Sequence, residues 1–246
     1  MNTLKEKSEI ELMKEAGQIL RRLLMKLEAF AEPDITTQEI DDYASKLIAK
    51  EQVTPAFKGY KGFPASICIS VNEEVVHGIP SQKRIKSGDI VSLDLGIEYK
   101  GYFVDSAITL PIGKVGPRFK KLIRVTQESL CKGIKQARVG KRLGDISYSI
   151  QRHVESNGFS IVRQFVGHGI GLSLQEEPEV PNFGQPHKGI TLKAGMVLAI
   201  EPMVNLGGWE VEVIDNCWTA VTKDRLPSAH FEHTVAITEN GPQVLT

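Results

Sequence analysis

Cysteine is scarce in this sequence. Cys68, Cys131 and Cys217 form an odd, sparse set with no Cys-x-x-Cys pair, which fits a reducing compartment better than a disulfide framework. Net charge is also lacking: 30 basic and 30 acidic residues balance, so nothing in the composition points to nucleic acid as a partner. No uncharged apolar run approaches a membrane span. The first residues, MNTLKEKSEIELMKEAG, carry charge from Lys5 and contain no apolar core of a signal peptide, so a cytoplasmic protein is expected. With these classes set aside, 41% hydrophobic and 24% charged residues describe an ordinary globular chain, long enough to bury a substantial core.

Local patterns divide the chain into helices and strands. Ser8 with Glu11 has capping-box spacing ahead of a helical apolar repeat, and Thr36 with Glu39 has it ahead of a second. From residue 53 the texture becomes rich in Gly, Pro and β-formers. The segment DIVSLDLGIEYKGYFVDSAITL reads as a hairpin turning near Tyr99, Lys100 and Gly101. Pro117 opens a third helix running to about Arg138, and GDISYSIQRHVESNG forms a fourth, stopped by Asn157 and Gly158.

This plan of helix pair, mixed loop and hairpin occurs twice, at an offset of about 107 residues. KSGDIVSLD (86–94) aligns with KAGMVLAIE (193–201), setting Asp94 against Glu201. Strand and helix runs are segregated and do not strictly alternate, so the expected class is α+β, internally duplicated.

Four carboxylates stand where strands should be apolar. Asp94 lies in IVSLDLGI, Asp105 in YFVDSAITL, Glu201 in VLAIEPMV and Glu232 in AHFEHTVAIT. Aspartate is disfavoured in strands and costly to bury unpaired. Asp94 and Asp105 are an odd number of residues apart, so an even-numbered hairpin loop puts both on one face, whereas a three-residue loop puts them on opposite faces. Four such acids repel one another unless cations neutralise them. An oxygen-rich set with one imidazole suits divalent first-row metals, and bridging carboxylates suit a pair of ions. His168, framed by glycines in VGHGIGLSLQEEP, is the natural imidazole donor.

The motifs NEEVVHGIP, GDIVSLDLG, GYFVDSAIT, VGHGIGLSLQEEP, VLAIEPM and AHFEHTVAIT together resemble type I methionine aminopeptidases, within the wider "pita-bread" metallopeptidases. The resemblance spans nearly the whole chain. It implies an α+β pita-bread fold in one catalytic domain, residues 1–246, with pseudo-two-fold halves near 1–112 and 113–246. It also implies two divalent ions (Co, Mn, Fe or Zn) held by Asp94, Asp105, His168, Glu201 and Glu232. Asp94 and Asp105 chelate one ion, Asp105 and Glu232 bridge, and His168 with Glu201 completes the other. Glu201 would also carry a proton from the attacking water to the leaving amine. His77 matches a histidine that approaches the scissile amide. The methionine pocket falls on Phe57, Tyr60, Phe63, Cys68, Leu174 and Trp218, where aromatic and sulfur contacts suit a thioether.

Two positions depart from the family pattern. Gln175 stands where the resemblance implies a second, substrate-facing histidine, and Leu172 where it implies a basic residue. A glutamine amide can still donate to a tetrahedral oxyanion but cannot transfer a proton. The activity implied is removal of N-terminal methionine before a small second residue. The substrate partners would be peptide or nascent-chain N-termini, at the ribosome among other places, with no nucleic-acid recognition, no membrane and a monomeric chain. A relative with reduced or altered peptidase activity, and a non-catalytic peptide-binding module, are the competing readings. The intact set of five ligand positions argues against the last.

Overall fold

A computed structural model describes residues 4–246. Four helices dominate: α1 (Lys7–Phe30), α2 (Thr37–Lys50), α3 (Pro117–Gln136) and α4 (Leu143–Ser156). One sheet contains β1 (Thr54–Pro55), β2 (Cys68–Val71), β4 (Ile90–Tyr99) and β5 (Tyr102–Pro111). A second contains β7 (Gly167–Gly169), β8 (Glu176–Val180), β9 (Val197–Ile200), β14 (His233–Thr238) and β15 (Gly241–Val244). Two small sheets use β6 (Ser160–Ile161), β10 (Met203–Asn205) and β13 (Ser228–His230), and β3 (Glu74–Val76), β11 (Val211–Val213) and β12 (Ala220–Thr222). Every strand pairing among the described residues is antiparallel, as the α+β reading requires.

Each helix pair packs against its own strands. Ile10, Met13, Leu20, Leu23 and Leu27 recur at helical spacing along α1 and meet Leu93, Leu95 and Ile97 of β4 in one core. Leu122, Leu130, Ile146 and Ile150 of the second pair meet Leu198, Ile200 and Val235 in another. The halves also share a detail that the sequence comparison did not use. The residue before α2 bridges to a later loop, Thr36 to Arg84, and the residue before α4 does the same, Arg142 to Thr191.

Two expectations need correction. Helix α1 begins at Lys7, and its capping box is Glu6 with Glu9, not Ser8 with Glu11. The entry is set earlier because the Lys5 amide is already tied to the Gly195 carbonyl at 2.7 Å, leaving Ser8 inside the first turn. The Thr36–Glu39 box forms as read, with the Glu39 amide donating to Thr36 Oγ1 at 3.1 Å. The second hairpin is not a hairpin. β9 does pair with a partner strand, but that partner is β14, reached only after residues 201–232 have built parts of the two small sheets.

The first hairpin turns through Lys100 and Gly101, both left-handed at φ 51° and 85°, the conformation that suits a two-residue turn between twisted strands. Its register sets Asp94 opposite Ala107 and Gly96 opposite Asp105, so the two aspartates are diagonal neighbours on one face. Strand β14 is then sewn to β5 across the sheets. The Asp105 amide donates to Thr234 Oγ1 at 3.1 Å, and that hydroxyl donates to the Asp105 carbonyl at 2.9 Å. The Ser106 hydroxyl donates to the Glu232 carbonyl at 2.7 Å, and the Glu232 amide donates to the Ala107 carbonyl at 2.9 Å.

This seam is fully buried, so its loss carries a desolvation cost as well as a lost bond. Thr234→Val, which keeps the shape and removes the hydroxyl, is expected to destabilise the protein by roughly 1–3 kcal/mol. A urea denaturation midpoint indistinguishable from the parent would show that the seam is energetically idle.

Candidate metal centre

The seam delivers two pairs of acids to one place. Asp94 and Asp105 come from the β4–β5 face, while Glu201 and Glu232 each lie one residue beyond the paired ends Ile200 and His233 of β9 and β14. His168 comes from β7, the neighbour of β9. Its flanking glycines are required by close approach: a Cβ on Gly167 would stand 2.3 Å from the Ala199 carbonyl oxygen, and one on Gly169 2.3 Å from that of Glu177. The His168 Nδ1–H donates to the Gly169 carbonyl at 2.8 Å, which fixes the tautomer and turns the Nε2 lone pair toward the acids. Nε2 lies 3.5 Å from Asp105 Oδ2 and 3.6 Å from Glu201 Oε1.

Burial and mutual repulsion disfavour ionisation throughout this cluster. Burial pushes the Asp94 carboxyl well above the ordinary range, with Asp105 adding to the rise. Asp105 is raised by burial and partly restrained by His168. Glu201 and Glu232 are also raised well above their usual values, by burial first and then by Asp105. Asp94 Oδ1 is buried with no hydrogen-bond partner among the described residues. Donor atoms of Asp105, His168 and Glu232 lie within 4.8 Å of one another. Carboxylates with one tautomer-fixed imidazole, an orphaned carboxylate oxygen and suppressed ionisation form a donor set that fits divalent metal.

The five residues line one cavity of about 210 Å³. All of the residues assigned to the substrate pocket line it too: Phe57, Tyr60, Phe63, Cys68, Leu174 and Trp218, with His77 and Gln175. The His77 ring meets Phe165 and Trp218 edge to face, with centroids 5.5 Å and 6.4 Å apart, and its backbone is left-handed at φ 59°. Burial, helped by the Lys61 charge, lowers His77 to about 4, so at neutral pH it is an uncharged imidazole. Burial raises the Cys68 thiol, aided by Asp94 and Glu232, so Cys68 is an inert apolar wall. Gln175 stands exposed at the rim. Its Oε1 accepts from the Tyr60 hydroxyl at 3.2 Å and from Lys61 Nζ at 3.3 Å, which leaves the amide Nε2 as its donating end.

Several contributors have little or no local signal in the sequence. Lys61 and Phe165 line the cavity although neither has metal-ligand or motif character. Lys5 makes a buried ion pair with Glu176, the residue after Gln175, and so ties the start of the chain to the loop that carries Gln175. Lys61 alone had an available clue, since it sits beside Tyr60 in a glycine-rich loop.

The site and fold together define a class: the chain belongs to metallopeptidase family M24, whose sequence profile matches residues 11–239. Its similarity to particular members is close. It is 54% identical to the methionine aminopeptidase of Clostridium perfringens, covering 100% of this chain and 99% of that one. It is 50% identical to methionine aminopeptidase 1 of Bacillus subtilis over 97% of this chain and 96% of that one. The crystal structure of methionine aminopeptidase from Thermotoga maritima superimposes with a TM-score of 0.98 at 48% identity, covering 100% of this chain and 99% of that one.

Metal binding should therefore fail in Asp94→Asn and Asp105→Asn and persist in Gln175→His, as measured by metal content after dialysis. Two ions retained in either aspartate variant would contradict the ligand set. The metal-free protein should also reveal the raised carboxyls. Each binds its proton more tightly when folded, so stability falls as pH rises above about 4, the ordinary carboxylate value. In Asp94→Asn the fall is shallower. The difference between the two proteins isolates the site from buried histidines such as His77, whose lowered values act with the opposite sign. Equal slopes in urea titrations across pH 4 to 8 would refute the assignment of Asp94.

Proposed function

We propose that this chain is a methionine aminopeptidase that hydrolyses the first peptide bond of peptides and nascent proteins whose second residue is small. The observation that carries this reading is the convergence of the Asp94, Asp105, His168, Glu201 and Glu232 donors on one wall of an aromatic and sulfur-lined cavity. The full-length similarity to methionine aminopeptidases supports it independently. These five residues would hold two divalent ions (Co, Mn, Fe or Zn), which when bound lower the pKa of water and polarise the scissile carbonyl.

The chain's own groups supply the remaining chemistry. Phe57, Tyr60, Phe63, Cys68, Leu174 and Trp218 receive the thioether side chain, where apolar and aromatic surface rewards methionine. His77, uncharged at neutral pH, offers a ring N–H to the scissile amide without adding charge. Glu201 takes the proton of the attacking water and passes it to the leaving amine. Gln175 directs its Nε2 amide toward the oxyanion, oriented by the Tyr60 and Lys61 contacts to Oε1.

Glutamine at the place of the family's histidine decides how fast this works. If the group only donates a hydrogen bond, glutamine recovers part of the roughly 10²- to 10³-fold that loss of an oxyanion donor costs. If it must move a proton, the deficit is about 10²- to 10⁴-fold. Gln175 is also the observation that favours a second reading, a related peptidase with altered substrate or rate. The partners in either case are peptide or nascent-chain N-termini, including those at the ribosome. We assign the enzyme to the cytoplasm as a monomer, in keeping with three free cysteines.

The test is methionine release from a Met-Ala-Ser peptide by metal-loaded protein, beside a chelated control and Gln175→His. Chelator-sensitive release by the native chain is expected, with Gln175→His equal or faster. Release by the histidine variant alone would favour the second reading, release by neither would overturn the first, and no chelator-sensitive cleavage of a panel of peptides with other first residues would overturn the second.

A further inference from the structure

His230 ends β13 and is 1% exposed, and its Nε2 has no hydrogen-bond partner among the described residues. Its carboxylate neighbour is Glu201, with Oε2 3.7 Å from that nitrogen. The other Glu201 oxygen, Oε1, faces His168 Nε2 at 3.6 Å. Glu201 is thus flanked by two imidazoles, of which His168 lines the cavity and His230 does not.

The backbone of His230 is clamped independently of its ring. Its amide accepts no freedom from the loop: it donates to Thr109 Oγ1 at 2.8 Å, and that hydroxyl donates to the His230 carbonyl at 2.8 Å. Its register partner is Met203, two residues beyond Glu201. The ring is therefore delivered behind Glu201 by contacts to the His230 backbone, from the Thr109 hydroxyl and from β10. A buried polar nitrogen left unmatched is unfavourable, and this one is aimed at a carboxylate that must ionise for the centre to work.

We propose that His230 is a positioning residue for Glu201: in the metal-loaded protein its Nε2–H donates to Glu201 Oε2, holding Oε1 on the side of His168 and the cavity. This rests on the reading of Glu201 as a metal ligand and proton carrier. Donors of this kind behind a ligand orient it and raise metal affinity.

The test is Co²⁺ affinity, measured by visible absorbance in competition with a chelator, for the full chain and for His230→Leu and His230→Gln. His230→Leu should bind Co²⁺ roughly 10- to 100-fold more weakly. His230→Gln, which retains an N–H donor, should recover most of that loss. Unchanged affinity in folded His230→Leu would overturn the proposal, as would equal losses in both variants, which would indicate packing alone. If His230→Leu does not fold, His230→Gln decides, since a tenfold loss there counts against the proposal and near-parent affinity supports it. A measurement without substitution is the ¹H–¹⁵N signal of the His230 ring, which should show an Nε2–H moving downfield on Zn²⁺ loading. A ring signal indifferent to Zn²⁺ would overturn the proposal. Co²⁺ binding without methionine release would defeat the functional reading and leave this one standing. Methionine release with unchanged Co²⁺ affinity in His230→Leu would do the reverse.

Discussion

Four carboxyl groups held against one another in a buried cluster are the constraint around which this protein is organised. Burial and like charge both oppose their ionisation, so the arrangement persists only because the backbone beneath it is fixed. The fixing is done where β5 meets β14. Thr234, Ser106 and the Glu232 amide tie the two strands at the residues that carry or flank Asp105 and Glu232. The cores behind those strands also cross the seam: Val197 and Ala236 pack with α1 and β4, and Ile90 of β4 packs with α3 and α4. A site on strands of this kind holds its geometry better than one assembled from loops.

Much of this was legible in the sequence, because the signals are local. An acid in an apolar strand is conspicuous wherever it occurs, and the odd separation of Asp94 and Asp105 is enough, with a two-residue turn, to place them on one face. The Thr36–Glu39 box and the Lys100–Gly101 turn are likewise contained within a few residues. What was not legible depends on partners far apart in the chain. Helix α1 starts where it does because Lys5 is held by Gly195 and Glu176, and nothing near Lys5 announces those partners. The repeat suggested a second hairpin, since strand β9 resembles β4. Its pairing partner β14 lies beyond an excursion that the comparison of short segments could not foresee. His230 is a similar case. As a histidine two residues before Glu232 it has no distinguishing pattern, and only the fold turns it behind Glu201.

The division of labour between strands and loops is also clear. The four acids and His168 come from strands or strand ends, where register sets them. Of the other residues that line the cavity, His77, Gln175 and Trp218 come from connecting segments, where a change of side chain disturbs little else. Gln175 illustrates the point: it stands exposed at the rim, held by Tyr60 and Lys61, apart from the strands that carry the acids.

The excursion between Glu201 and Glu232 has a consequence for how such a protein can diversify. This segment opens with Glu201, one residue past the end of β9, and closes with Glu232, one residue before β14, and it carries Trp218 over the cavity on the way. Its two ends and His230 are fixed against the acids by β9, β14 and Thr109, whereas Trp218 sits on the connection between β11 and β12. A change confined to that connection reshapes the cavity wall while leaving the backbone that carries the acids in place.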